Sequence, residues 1–234
     1  MRGLPDSGGR NVMLRWAAWV SLSLAVNSLG NTVSAQDTHP LQAALAGLWT
    51  EDNDTGAETE EQRRFSSVAD SNLRDAGEAF RASYRREAES GADCPMAGTL
   101  AGRATDFEVV DNEDVLTITV FGRTRRMHMD YWLEPPDTFM PNPLGWSVGR
   151  WAGDMLVVRT TRFSEGAIRR GDRPLPFGGP IAQIIERYTL SEDKNRLSVD
   201  INLNDPKYYS FTLNVRHNYV RVSDISQPEE CVSG

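Results

Sequence analysis

The chain has 234 residues, 25 Lys and Arg against 33 Asp and Glu, and a formal net charge of −8. An acidic surface repels phosphate backbones, so nucleic acid is excluded as an expected partner. The three histidines, His39, His128 and His217, are scattered, and neither a metal nor a cofactor is expected.

Residues 1–35 read as a secretory signal. Arg2, Arg10 and Arg15 supply a positive start, residues 16–26 (WAAWVSLSLAV) an apolar centre, and Val33-Ser34-Ala35 the small residues before a cut at Gln36. The apolar run is short for a bilayer span, and an uncleaved anchor is the alternative. Removing the signal takes away three Arg and one Asp and moves the net charge from −8 to −10. The expected location is periplasmic or secreted, with no membrane contact after cleavage. The expected partner is a small molecule.

Residues 36–93 form an N-terminal segment. Leu41, Leu45 and Leu48 lead into Gly47-Leu48-Trp49, a short helix running into a strand. Residues 51–61 are acidic and read as a loop. Leu73, Ala76, Phe80 and Tyr84 recur at helical spacing and predict one amphipathic helix over 70–89, with Ser71 as its cap. Cys94 and Cys231 are the two cysteines. In an oxidising compartment they read as one disulfide, with two free thiols or a redox pair as alternatives; no C-x-x-C motif supports the last.

Residues 94–234 read as a barrel domain. Strands are predicted near 106–111, 114–121, 124–130, 145–151, 155–162, 181–190, 196–203 and 208–216. Leu197, Val199, Ile201 and Leu203 alternate with Ser198, Asp200 and Asn202. Tyr209, Phe211, Leu213 and Val215 alternate with Tyr208, Ser210, Thr212 and Asn214. One wet and one buried face is the pattern of an antiparallel sheet. Short turns at 112–113, 122–123, 152–154 and 192–195 pair neighbours in sequence. The fold class is therefore mainly β, an antiparallel up-and-down β-barrel with one N-terminal helix, which leaves no open edge. A two-sheet sandwich is the alternative.

In such a meander, successive connections alternate between ends. That places the long loops 131–144 and 163–180 together around an open mouth, with a closed base near Gly153. Arg126, His128 and Asp130 share one strand face, against Met127 and Met129. If that face lines the lumen, His128 and Asp130 are a candidate acid–base pair; if the Met face is the packed interior, the His face is solvated. Tyr131, Trp146, Arg150, Trp151 and Arg162 are candidate ligand contacts near the mouth, joined by Arg169, Arg170 and Arg173 as receivers of an anionic group. Glu186 sits in an apolar strand and is either a ligand contact or half of a buried pair with Arg150 or Arg159.

The run 145–154, GWSVGRWAGD, followed by Leu156-Val157-Val158 and Thr160-Thr161, resembles a group of exported, mostly uncharacterised bacterial proteins with a lipocalin-like, calycin-type barrel. Cys94-Pro95, residues 127–130, Ile185-Glu186-Arg187, Asp205-Pro206 and Glu230-Cys231 extend the resemblance over most of 94–231. Ala152 stands where the group has Glu. Gly47-x-Trp49 is similar to the motif in which a lipocalin Trp plugs the barrel base. The resemblance implies the fold and leaves the activity open. The first functional expectation is a binding protein for a small, largely apolar or aromatic molecule with an anionic group. The second is a lyase, isomerase or hydrolase working through His128 and Asp130. The third is a side-chain-filled barrel serving as a structural module.

Overall fold

A computed structural model describes residues 39–52, 60–84, 106–112, 114–120, 123–169 and 174–224. The expected signal, Cys94, Cys231, Arg170, Arg173, the 85–89 end of the expected helix and the side chain of Arg169 lie outside the described residues. The elements are α1 (Pro40–Leu45), β1 (Gly47–Glu51), α2 (Glu60–Ser71), α3 (Asp75–Ser83), β2 (Phe107–Asn112), β3 (Val115–Val120), β4 (Arg123–His128), β5 (Trp146–Ala152), β6 (Met155–Thr161), β7 (Gly166–Arg169), β8 (Leu175–Phe177), β9 (Gln183–Leu190), β10 (Arg196–Asn204) and β11 (Leu213–Val222). Among the described residues, no helix is long and apolar enough to cross a membrane.

Nine strands close a barrel in the order β1-β11-β10-β9-β6-β5-β4-β3-β2, sealed by β1 pairing with β2. The chain is mainly β and the barrel mostly antiparallel, as the alternating strands dictate. Leu197, Val199, Ile201 and Leu203 of β10 are all buried. Across from them, β11 buries Leu213, Val215, His217 and Tyr219.

One pair breaks the meander. β4 and β5 run parallel, with Met127 opposite Ser147 and His128 opposite Val148. Residues 129–145 leave the end of β4 and return the chain before β5 begins, because a parallel neighbour needs such a crossover. The expected alternation of ends therefore fails after β4. The β2–β3, β5–β6 and β9–β10 turns share one end, and residues 162–182 and 204–212 lie at the other.

α1 covers the turn end, where the base near Gly153 was expected; the 122–123 turn, expected there too, lies at the other end. Leu45 is buried, Gln42 donates to Asp111 Oδ1 at 2.8 Å, and the Trp151 ring stacks on His39 at 4.2 Å. Trp49, fully buried, donates from its indole to the Leu45 carbonyl at 3.0 Å. The Arg221 guanidinium lies 4.3 Å over the Trp49 ring and donates to the carbonyls of Ala46 at 2.7 Å and Ala44. Gly47 makes this approach possible: its φ is +134°, and a Cβ there would strike Arg221 Nη1.

The loop end is not the open ring expected from 163–180. This segment folds into the β7–β8 hairpin and buries Phe163, Ile168, Leu175 and Phe177, with Phe163 edge-on to Phe177 at 5.0 Å. Asp205 fastens it to the β10–β11 connection. Its Oδ2 accepts the Gly178 and Gly179 N–H groups at 2.9 and 3.0 Å, and its carbonyl accepts those of Tyr208 and Tyr209. That turn ends the strand expected at 208–216. β11 instead starts at Leu213, and Phe211, expected inside, is 70% exposed.

The single helix expected over 70–89 is also corrected, since α2 and α3 are separate. Asn72 and Ser71 bond back to the carbonyls of Val68 and Ser67, a local competition that favours termination. Leu73 then bridges Tyr209, and the Arg74 N–H bonds to the Tyr208 carbonyl at 2.8 Å. Tertiary pairing with the loop end therefore replaces one helical turn.

Candidate functional site

The interior carries polar groups on one wall. β4, β5, β6 and β9 are consecutive in the barrel, and each sends polar side chains inward: Arg125, Ser147, Thr160, Glu186 and Tyr188, all buried. Arg125 Nη1 donates to Glu186 Oε2 at 2.6 Å and to Thr160 Oγ1 at 3.0 Å. Arg125 Nη2 reaches Tyr188 Oη at 3.2 Å, and Ser147 and Thr160 share a hydroxyl contact of 2.9 Å. The remaining wall is mostly apolar, with Leu116, Ile118, Phe107, Trp49, Leu197, Val199 and Ile201 buried, and His217 and Tyr219 of β11 are its polar members.

Burial opposes the Arg125 charge, but the Glu186 carboxylate, together with Tyr188, holds the guanidinium above its ordinary pKa. Burial, reinforced by the Glu186 charge, pushes the Tyr188 phenol well above its ordinary range. The cluster is thus a charged pair beside neutral hydroxyls. Two of its atoms have no hydrogen-bond partner among the described residues: Glu186 Oε1 and Arg125 Nε. A buried polar atom without a partner is costly, so natural interiors leave few of them.

Most of the residues singled out from the sequence gather elsewhere, on the outer face of β4, β5 and β6. Met127 and Arg125 take the interior, which turns Arg126 and His128 outward. His128 stacks on Trp146 at 4.4 Å, and Phe139 meets Trp146 edge-on at 5.3 Å. The Trp146 indole donates to the Leu133 carbonyl at 3.2 Å. The Tyr131 ring lies 4.9 Å from the Arg150 guanidinium and 5.3 Å from that of Arg159, whose Nη2 donates to the Tyr131 carbonyl. The crossover thus covers this face, which is why Val148 is buried between the inward Ser147 and Gly149.

His128 and Asp130 are not brought together as an acid–base pair. The Asp130 carboxylate accepts the Trp132 N–H at 3.0 Å, a local Asx-type turn, while the imidazole is engaged with Trp146. Partial burial, then the Arg126 charge, lower the His128 pKa, so its imidazole is neutral at neutral pH. Trp151 sits at the turn end against α1, far along the strand from Trp146. Arg162 is exposed at the foot of β6, in the left-handed region at φ 59°. Of the expected contacts, Glu186 is the fully buried one, and Trp151 is partly buried against the core. The partner of Glu186 is Arg125, not Arg150 or Arg159.

Sequence reasoning passed over Arg125 and weighed His217 only as one of three scattered histidines. The signal for Arg125 was period two, since it shares a face with Met127, and an inward Met127 carries Arg125 in with it. His217 follows Leu213 and Val215 on the same inner face, one step beyond the strand end expected at 216. Among the described residues, no three His, Cys, Asp or Glu side chains converge to hold a metal ion. No protein-family model, no curated protein and no solved structure matches this chain.

Proposed function

We propose that the protein is a carrier that holds one small, largely apolar molecule inside the barrel, with the ligand's polar end against the wall formed by Arg125, Glu186, Thr160 and Ser147. The observation that carries this reading is the polar wall set into a mostly apolar interior, where Glu186 Oε1 and Arg125 Nε lack hydrogen-bond partners among the described residues. Barrels of eight strands already enclose one small ligand, and this one has nine. A mostly apolar wall opposite a polar one suits an amphipathic molecule, the usual chemistry of ligand pockets. Export, a periplasmic or secreted location, the disulfide between Cys94 and Cys231, and kinship with the exported lipocalin-like group belong to the same proposal. The acid–base enzyme is set aside, because His128 and Asp130 engage separate partners on the outer face.

The test is a titration of isotope-labelled protein with small apolar molecules, followed by NMR. Binding is expected to move the Arg125 Nε–H resonance and the amides of Glu186 and Tyr188, while the Trp132 and Trp146 indoles stay still. The opposite pattern would place the ligand on the outer face and refute the lumenal reading.

A further inference from the structure

We infer that the outer face of the barrel carries an anion site, built by Arg150, Arg159 and Arg187, that takes a tetrahedral oxyanion such as a phosphate group. The site lies outside the lumen and does not depend on the carrier reading above.

The sheet register brings the three arginines together. Their strand neighbours Gly149, Val158 and Glu186 are buried, so the period of two turns all three outward. Arg150 of β5 and Arg187 of β9 both pair with Val157 of β6, one from each side. Arg159 lies two residues along β6 from Val157, on the same face. It is a diagonal neighbour of the other two, about 7–8 Å away at the backbone. Arg150 and Arg187 are two strand spacings apart, about 10 Å, a gap that two long side chains close. Arg150 is exposed, and Val157, Arg159 and Arg187 are half-buried, so the cluster is open to solvent.

None of the three forms an ion pair among the described residues. Each is held by a neutral group instead. The Tyr131 ring lies 4.9 Å from the Arg150 guanidinium and 5.3 Å from that of Arg159. Arg159 Nη2 donates to the Tyr131 carbonyl at 3.3 Å, and Arg187 Nη1 donates to Asn202 Oδ1. The nearby carboxylates do not discharge them. Asp200, directly opposite Arg187, is bound at both oxygens by Arg216, at 2.5 and 2.8 Å. Asp130 accepts the Trp132 N–H, and the exposed Glu134, Asp137 and Asp154 pair with none of the three. A chain of net charge −8 thus sets three uncompensated cations on neighbouring strands, where like charges repel. An anion among them removes that repulsion. Guanidinium forks donate to oxyanion oxygens in pairs, and the neutral groups hold these forks without using up their charge. Three forks around one point match an anion with more than two acceptor oxygens, which favours a phosphate or sulfate group over a carboxylate.

The probe is inorganic phosphate, titrated into the whole protein in chloride buffer of low ionic strength and followed by calorimetry and by NMR of the arginine Nε–H groups. Saturable one-to-one binding is expected, moving the Arg150 and Arg187 resonances and leaving that of Arg125 still. Arg150→Gln and Arg187→Gln are each expected to weaken binding about tenfold, the loss of one charge-assisted hydrogen bond. Arg196→Gln, which removes an arginine paired with Asp52, is expected to leave the affinity unchanged. An equal loss in Arg196→Gln would mean diffuse attraction to the whole protein and would overturn the site. Chloride competing as well as sulfate at equal ionic strength, or no saturable binding, would overturn it too. The chloride comparison uses the wild-type protein and decides the matter should a variant fail to fold. Phosphatidylglycerol vesicles separate the two sources of such a group. Co-sedimentation that phosphate displaces assigns the site to a lipid headgroup, and phosphate binding without co-sedimentation assigns it to a soluble phosphate or sulfate.

Discussion

Glu186→Ala is expected to destabilise the protein by about 3–5 kcal/mol, the cost of leaving a buried charge without its partner. Glu186 is fully buried and Arg125 is 1% exposed, so water does not reach the guanidinium once the carboxylate is gone. Arg125 would retain contacts with Thr160 and Tyr188, both neutral groups that cannot balance its charge. The pair as a whole is a different matter. Two ions taken from water lose much of what their attraction returns, so replacing both by apolar residues of similar size is often neutral or stabilising. Arg125→Met combined with Glu186→Leu is therefore expected to restore most of the stability lost in the single variant. Urea unfolding of the three proteins measures this directly. A Glu186→Ala protein within 1 kcal/mol of the parent would mean that the pair is hydrated and that the interior is not as dry as described. A double variant that regains stability but loses ligand would show that the ion pair is kept for binding rather than for folding.

Trp49→Ala should cost about 3–5 kcal/mol, the range for removing a large buried aromatic. The indole does three things at the turn end. It fills the space beside Phe107 within the barrel core, it donates to the Leu45 carbonyl at 3.0 Å, and it offers its face to Arg221 at 4.3 Å. Arg221 in turn ties the segment before β1 through the Ala44 and Ala46 carbonyls and the β9–β10 turn through the Lys194 carbonyl at 3.1 Å. Loss of Trp49 therefore releases α1 as well as opening a cavity. Trp49→Phe keeps much of the packing but removes the indole N–H and weakens the cation–π contact, and a smaller loss of about 1–2 kcal/mol is expected. Thermal unfolding gives the totals, and hydrogen exchange of residues 40–45 shows whether the cap loosens first. An Ala variant that loses under 1 kcal/mol would remove Trp49 from its place as the plug of the closed end.

The barrel was legible because its strands carry their own evidence. The alternation Leu197, Val199, Ile201, Leu203 names the inner face of β10 with no tertiary information, and the short turns at 152–154 and 192–195 dictate antiparallel neighbours. The crossover after His128 was not legible, because the length of residues 129–145 does not say whether the chain returns to the same end. That one parallel pair moved the expected mouth. The 163–180 segment looked like a loop because Gly, Pro and Arg dominate it. Its apolar residues Phe163, Ile168, Leu175 and Phe177 are spaced too widely to announce a strand, and they become core only when Asp205 pins Gly178 and Gly179. Inside the barrel, Glu186 stood out as a charge in an apolar strand. Arg125 did not, because it is one of three arginines in a run whose inward member depends on which way Met127 points. The spacing left open whether Arg126 and His128 faced the lumen or solvent; with Met127 inside they face outward, where His128 stacks on Trp146 and Tyr131 lies against Arg150.

Native mass spectrometry of the protein purified from its own source tests the carrier reading most directly. A single bound small molecule is expected, retained by the parent protein and lost in the Arg125→Met/Glu186→Leu variant. A protein that is empty as isolated, and that takes up none of the small apolar molecules offered to it, would contradict the account and leave the barrel as a side-chain-filled structural module.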